Sequence, residues 1–254
     1  MLTALESLAT KYSLVVALTS VGVVMWTSNR LATRTGGRVH GSAIAILVGL
    51  AAAWAGGVWT GGTHGVADVG WLAGIGVLGG SAFRDLAIVA TAFGVRPDEF
   101  RRTGVAGAAS LLIGVGSSFA VGAATAYAFG YRDAVSMTTI GGGAATYIVG
   151  PVTGSALGAS SEVIALSVAA GLVKSMLTMI VTPWLAAAIG LDNPRSAMIF
   201  GGLIGTTSGV AGGLAATDER LVPYGAMTAT FYTGLGCLLG PSLIFLIIQT
   251  LVAS

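Results

Sequence analysis

The chain has 254 residues, of which 54% are hydrophobic and only 9% are charged, and its mean hydropathy is +0.88. Soluble domains carry about 25% charged residues, so this composition excludes an ordinary soluble domain and indicates an integral membrane protein. The net charge of +2, with basic residues in short clusters and no aromatic residues between them, argues against a nucleic-acid partner.

Apolar segments follow one another along the chain, each long enough to cross a hydrocarbon core about 30 Å thick. They run approximately over residues 12–28, 41–60, 69–94, 104–129, 134–158, 162–190, 197–216 and 223–250. We therefore predict an all-α polytopic membrane protein of about eight transmembrane segments, held in a lipid bilayer.

The basic residues predict which loops face the cytoplasm. Positive loops stay inside, so the loops after the first and third segments are predicted to be cytoplasmic and both termini external. With eight crossings, Arg30, Arg34, Arg38, Arg96, Arg101, Arg102 and Arg220 fall inside, against Lys11, Arg132 and Arg195 outside. A re-entrant hairpin in place of either glycine-rich segment would reverse the side of everything that follows it.

Two segments of the C-terminal half are poor helices by composition. Residues 136–158 contain Gly141 to Gly143 and the Gly150-Pro151 pair, and residues 201–217 contain Thr206, Thr207 and Ser208 between two glycine clusters. Glycine and proline weaken or break helices. Unwound backbone in a membrane is tolerated only where it is buried in protein or lines a polar cavity, so we predict two discontinuous helices that line such a cavity.

A pair of interrupted segments at related positions is the sequence pattern of a transporter binding site, in which helix N-termini face an anion and free carbonyls hold a cation. This pattern fits a carboxylate carried with sodium. It predicts an N-terminal scaffold of about four helices at 1–130 and a transport region at 131–254. Each glycine taken singly has a simpler explanation, since small residues also serve close packing of membrane helices.

Lys174 lies twelve residues past Glu162 and therefore roughly 18 Å into its helix. An ammonium at that depth is costly and should face a cavity, a partner or a bound anion. A lysine paired with an internal carboxylate or a carbonyl for structural reasons is the alternative.

The candidate site residues follow from these two arguments. The predicted carboxylate ligands are Thr138, Thr139, Gly141, Gly142, Gly143, Lys174, Thr206, Thr207, Ser208 and Gly209. The predicted sodium ligands are Thr146, Gly150, Pro151, Thr153 and Gly205.

Signals for catalysis are weak. His40 and His64 lie beside glycines and have no companions at metal-ligand spacing, and Cys237 stands alone in an apolar run. No set of nucleophile, base and orienting group is recognisable. We therefore predict a protein that is not an enzyme and has no cofactor or transition-metal site.

Several stretches closely resemble the MadM subunit of bacterial malonate:sodium symporters. They are YRDAVSMTTIGGGAATYIVGPVTG at 131–154, GLDNPRSAMIFGG at 190–202, GLAATDERLVPYGAMTATFYTGLGCLLGPS at 213–242, HGSAIAI at 40–46 and FRDLAIVATAF at 83–93. The resemblance implies a multi-pass protein of the bacterial inner membrane that imports malonate with sodium and works with a smaller membrane subunit, MadL. Higher oligomers of that complex and an elevator-like transport motion are further expectations.

The C-terminal half is more remotely similar to LrgB-like proteins, which include holin-like bacterial proteins and the plastid glycolate/glycerate translocator. This second resemblance leaves two alternatives open: a holin-like pore or regulator, and a proton-driven carrier of another small organic acid. A pore predicts passive permeability that does not saturate, whereas a carrier predicts saturable uptake.

Overall fold

The computed structural model describes residues 2–34, 41–62, 64–78 and 97–253, which form helices and contain no strand. Five of these helices are long and apolar enough to cross a membrane: Ser13–Arg34, Gly41–Thr60, Thr103–Ala128, Ser161–Leu185 and Glu219–Val252. The prediction of a helical, multi-pass membrane protein is therefore confirmed. The chain divides into two compact units, residues 1–90 and 91–254.

The first unit contains two of the long apolar helices. Its elements are α1 (Leu2–Lys11), α2 (Ser13–Arg34), α3 (Gly41–Thr60), two 3-10 turns at Gly65–Asp68 and Gly70–Leu72, and α4 (Gly74–Leu78). α2 and α3 match the first two predicted segments. Of the third predicted segment, only residues 69–78 are described, and the rest lies outside the described residues.

The second unit contains the remaining long helices and the two glycine-rich segments. It comprises α5 (Pro97–Ala128), α6 (Ala134–Ala145), α7 (Val149–Leu157), α8 (Ser161–Leu185), α9 (Pro194–Ile204), α10 (Thr207–Ala215), a 3-10 turn at Glu219–Leu221, α11 (Val222–Leu239), a π-helical segment at Gly240–Ile244, and α12 (Phe245–Ala253). α5 is kinked at Gly104, where φ is 51° and ψ is −136°. α5 belongs to this compact unit, whereas the predicted functional boundary lies at residue 130; that division stays a prediction.

The segment 134–158 folds back on itself and forms a helical hairpin, α6–α7. A methyl group added to Gly142 would lie 3.2 Å from Gly150 Cα, and one added to Gly154 would lie 2.7 Å from Thr139 Cγ2. In a straight helix Thr139 and Gly154 would be about 22 Å apart. The two arms therefore run antiparallel and touch along their glycines.

The segment 197–216 forms a second hairpin, α9–α10. A methyl group on Gly225 of α11 would lie 3.2 Å from the Ala197 carbonyl and 2.9 Å from Val210 Cγ1, and Leu214 packs on the same glycine. Ala197 and Leu214 would be about 26 Å apart in a straight helix. Both arms instead reach the same residue of α11, so this segment also turns back.

The predicted count of eight crossings is therefore not confirmed, because five helices are candidate spans and these two segments form hairpins whose arms pack against each other or against the same helix. α8 is the one candidate span between them, so two hairpins that do not cross would enter the membrane from opposite sides. Of the basic residues that flank the candidate spans of this unit, Arg101, Arg102, Arg195 and Arg220 would then share one side and Arg132 would lie on the other. Two full crossings would have placed Arg195 with Arg132, so the hairpins satisfy the positive-inside rule better.

The two hairpins are related by an internal repeat with an offset of 60 residues. Asp133 and Asn193 are equivalent N-caps, whose side chains accept hydrogen bonds from the amides of Ser136 and Ser196 over 2.8 and 3.0 Å. Identical residues at the same offset include Gly130 with Gly190, Gly141 with Gly201, Gly142 with Gly202 and Thr146 with Thr206. Two equivalent hairpins that enter from opposite sides are the arrangement of an inverted repeat.

Candidate substrate and ion site

The first hairpin turns at Thr146, whose backbone is extended with φ −154° and ψ 156°. In a continuous helix the amides of Ile148 and Val149 would donate to the carbonyls of Ala144 and Ala145. Both amides donate to the Thr146 hydroxyl instead, over 3.2 and 3.1 Å, and Val149 also donates to the Thr146 carbonyl. The carbonyl end of α6 is therefore left with acceptors that its own helix does not satisfy.

Gly171 of α8 passes directly beside this turn. A methyl group on Gly171 would lie 2.5 Å from Tyr147 Cα and 2.8 Å from the Gly143 carbonyl, and it would also clash with the Tyr147 nitrogen. Only glycine leaves room for the turn to approach the helix, since all three atoms belong to backbone that cannot rotate away. The contact fixes the tip of the first hairpin against the middle of α8.

Gly171→Val is expected to destabilise the protein by about 1 to 3 kcal/mol through overpacking at the first hairpin tip. Lower melting temperature and yield of the purified protein in detergent would show this effect. Gly234→Val is the matched control, because Gly234 also lies inside a long helix and has nothing within 4 Å of an added methyl group. Equal melting temperatures for the two variants would contradict the close approach at Gly171.

The second hairpin turns at Gly205 and Thr206. Gly205 has φ 82° and ψ −20°, in the left-handed region that favours glycine. The hydroxyl of Thr206 shares a short hydrogen bond with the hydroxyl of Ser175 on α8. In the described structure this hydroxyl accepts no hydrogen bond from α10. The first amides of that helix, on Thr207, Ser208 and Gly209, therefore lack a side-chain cap from Thr206.

Lys174 lies between the two turns, near the middle of α8. Its ammonium donates to the carbonyl of Ala145 over 3.0 Å and to the hydroxyl of Ser118 on α5 over 3.1 Å, and it lies 5.5 Å from the ring centroid of Tyr232 on α11. The ion pairs found among the described residues are His64 with Asp68 and Arg220 with Asp218. Within that part of the chain, Lys174 therefore has neutral partners and no carboxylate.

Tyr232 joins the site to both the second hairpin and α5. Its side chain is fully buried, its ring lies where a side chain on Gly205 would have to go, and its hydroxyl donates to the carbonyl of Gly114 over 3.1 Å. Sequence reasoning missed Tyr232 and Ser118, since neither carries a charge or interrupts a helix. A tyrosine inside an apolar span, whose hydroxyl needs a buried partner, was the available signal for Tyr232.

Helix ends of both signs meet around Lys174. The carboxyl ends of α6 and α9 carry partial negative charge, whereas the amino ends of α7 and α10 carry partial positive charge. The Ala145 carbonyl at the negative end of α6 holds the ammonium, while Ser175, the next residue along α8, contacts the turn before α10. A polar centre, with a cation that has no described carboxylate partner, therefore lies on α8 between the turns of the two hairpins.

Some predicted site residues lie at this centre and others do not. Lys174, Thr146, Gly205 and Thr206 lie at the two turns, and Thr207, Ser208 and Gly209 form the first turn of α10. Thr138 and Thr139 lie within α6, where their hydroxyls donate to the carbonyls of Ala134 and Val135 over 2.6 and 2.8 Å. These two hydroxyls are already paired within their own helix, about 10 Å from the turn.

The expectation that Gly141 to Gly143 interrupt the first segment is wrong, because α6 is helical through all three. Their amides lie in the helix interior and not at an N-terminus. Gly150 and Pro151 likewise fall in the first turn of α7, after the break. Gly142 and Gly143 instead pack closely against Gly150 of the opposing arm. A methyl group added to Gly142 would lie 3.2 Å from Gly150 Cα, and one added to Gly150 would lie 2.9 Å from Gly143 Cα.

Thr153 of α7 is fully buried, and its hydroxyl has no hydrogen-bond partner among the described residues. The hydroxyl lies close to Gly142 and to Gly240, at the start of the π-helical segment. A buried hydroxyl without a partner is costly, so its predicted role as an ion ligand keeps a physical basis. The described residues contain no cluster of three His, Cys, Asp or Glu that could hold a metal ion.

A chain whose described residues form several apolar spans and two helical hairpins, with a partly buried lysine between the two hairpin turns, has the features of the class of membrane transport proteins. The family of this transporter follows from its sequence. The chain belongs to the family of malonate/sodium symporter MadM subunits, whose family model matches residues 5–252. The resemblance seen in the sequence is thus confirmed. Comparisons with curated proteins and with solved structures found no match.

Proposed function

We propose that this chain is the larger subunit of a secondary carrier that imports malonate with sodium across the bacterial inner membrane, together with a smaller MadL-like subunit. The observation that carries the proposal is Lys174, a cation without a described carboxylate partner, placed where two hairpin tips of mixed polarity meet. The family assignment supports a symporter subunit of this kind.

The substrate chemistry fits this centre. Malonate is a compact dianion, and drawing two carboxylates out of water is prohibitive without compensating positive charge. We assign one carboxylate to Lys174 and to the first amides of α10, with the hydroxyls of Thr207 and Ser208 as additional donors. We assign Thr138 and Thr139 no direct contact with malonate, since their hydroxyls donate hydrogen bonds within α6.

Sodium is assigned to the carbonyl side of the same centre. Thr146 and Gly205 lie at the two turns, where helix carbonyls lose their amide donors, and Thr153 contributes an unsatisfied hydroxyl farther along α7. Sodium is a hard cation, and hard cations prefer oxygen ligands of this kind. Gly150 and Pro151 act through the close crossing of the hairpin arms and not as ligands.

The transport motion follows from the opposed hairpins. A site held between one hairpin from each side can open to either side when the hairpin unit slides or rocks against a scaffold. We assign the scaffold to the N-terminal helices and the MadL-like subunit, which would give an elevator-like carrier. Assembly of several such complexes is compatible with this arrangement.

Uptake of labelled malonate into proteoliposomes, containing this chain with and without its partner subunit, tests the proposal. We expect saturable uptake that requires both subunits and an inward sodium gradient, because substrate and ion each favour binding of the other. Liposomes with a proton gradient and no sodium are the control. Unsaturable flux would indicate a holin-like pore, and uptake driven by protons alone would reject sodium coupling.

A further inference from the structure

We propose that the coupling cation binds at the carboxyl end of α6, where the Lys174 ammonium lies in this structure, and that Lys174 competes for this position until a dicarboxylate draws the ammonium away. This inference rests on the proposed function and adds the location of the ion and the device that couples it to the substrate.

The first step of the argument concerns the oxygen atoms around the ammonium. Ala144 and Ala145 lose their amide donors to Thr146, so the end of α6 presents carbonyls without helical partners. The Ala145 carbonyl and the Ser118 hydroxyl both lie about one hydrogen bond from Lys174 Nζ, at 3.0 and 3.1 Å. Oxygens that hold an ammonium in this way can also hold a small cation, which would sit closer to them.

The second step concerns the origin of the ligands. Ala145 belongs to the first hairpin, Ser118 to α5 and Lys174 to α8, so three separate elements meet at one cation position. The partial negative charge at the end of α6 favours a cation there. The described residues bring no carboxylate to the ammonium, so nothing holds Lys174 at this position except neutral groups that an ion could take over.

The third step concerns total charge. Sodium bound alone would place two positive charges side by side in a site of low dielectric, which opposes its binding. Malonate bound alone would leave one excess negative charge beside Lys174. One sodium, one ammonium and one malonate dianion sum to zero, so the fully loaded site is the favoured one.

The path of the side chain follows from the same geometry. A carboxylate bound at the first amides of α10 would lie in a different direction from Ala145, because Ser175, one residue along α8 and about 100° around the helix, contacts the turn before α10. The ammonium then exchanges a carbonyl for a carboxylate, and the vacated oxygens bind sodium. Each ligand raises the affinity for the other by the same factor.

Equilibrium binding of ²²Na⁺ to the purified two-subunit complex in nanodiscs, without malonate, tests the competition. Lys174→Gln is expected to bind sodium at least about tenfold more tightly than the wild type. If Lys174 occupies the site nine-tenths of the time, only about one-tenth of the sites are free, and the apparent affinity for sodium falls about tenfold. Lys174→Arg is the matched control, because it keeps the competing charge and should keep sodium binding weak. In wild type, malonate should tighten sodium binding, and in Lys174→Gln it should do so by a clearly smaller factor.

The outcomes separate this inference from the proposed function. Sodium-driven malonate uptake by the wild type, together with unchanged or weaker sodium binding in Lys174→Gln, would overturn the competition while the symporter stands. Wild-type uptake that does not depend on sodium would reject both the competition and the proposed sodium coupling. Lys174→Ala serves as a second neutral variant if Lys174→Gln does not assemble, and it should bind sodium as tightly as expected for Lys174→Gln.

Discussion

Replacing Lys174 by methionine is expected to lower malonate uptake by about 10- to 100-fold while the two-subunit complex still assembles. A hydrogen bond between charged groups contributes about 1.5 to 3 kcal/mol, and each 1.4 kcal/mol corresponds to about a tenfold change. Methionine keeps an unbranched side chain only one atom shorter and removes its charge, so binding of the carboxylate should suffer most. Uptake in proteoliposomes at several malonate concentrations measures the effect.

The same variant makes a distinctive prediction for stability. An ammonium in the middle of a membrane helix costs at least about 2.5 to 3.5 kcal/mol on insertion scales, so its removal should leave the melting temperature unchanged or raised. If Lys174 had a purely structural role, the substitution would have the opposite effect: the melting temperature would fall, and uptake per correctly folded protein would change little. Lys11→Met, at the end of α1 in the other compact unit, is the control and should behave as wild type.

Gly205→Ala is expected to abolish transport and to destabilise the second unit by about 2 to 5 kcal/mol. Two penalties add here: the left-handed backbone costs about 1 to 2 kcal/mol for a residue with a Cβ, and overpacking against the buried Tyr232 ring costs about 1 to 3 kcal/mol more. Thermal unfolding and uptake of the purified complex measure both effects.

Gly190→Ala separates the two penalties. Gly190 also has a positive φ, 63°, but nothing lies within 4 Å of an added methyl group. Its cost should therefore be limited to the backbone term, with transport retained. If the two variants lose the same stability and activity, Tyr232 does not close over the second turn as described.

Much of the candidate site was predictable, because helix breaks in a membrane leave a compositional trace. Thr206 between two glycine clusters did mark the second turn, and Lys174 did lie near the middle of its helix. The first turn lies at Thr146, between the two predicted interruptions at Gly141 to Gly143 and at Gly150-Pro151, and α6 is helical through the three glycines. Their actual role, close packing against α5, α8 and the opposing arm, is the simpler explanation that applies to a single glycine.

The hairpins could not be derived from hydropathy, since an apolar segment of about 20 residues reads alike whether it crosses or returns. The internal repeat carried the missing signal: matched N-caps at Asp133 and Asn193 begin two short helices that end before Thr146 and Thr206. Helices of 12 and 11 residues reach only about 16 to 18 Å, which is about half of the hydrocarbon core. The partners of Lys174 on other helices depend on tertiary packing and left no trace in the sequence.

Cysteine accessibility across the membrane tests most directly whether the two hairpins enter from opposite sides. In a Cys237→Ser background, single cysteines at Phe129, Ser161, Ile189 and Thr217 are labelled with an impermeant maleimide in intact cells and in inverted vesicles. We expect cysteines at 129 and 161 to react from the outside only, and those at 189 and 217 from the cytoplasmic side only. Labelling of positions 129 and 161 from opposite sides would show that the first segment crosses the membrane, and would contradict the site described here.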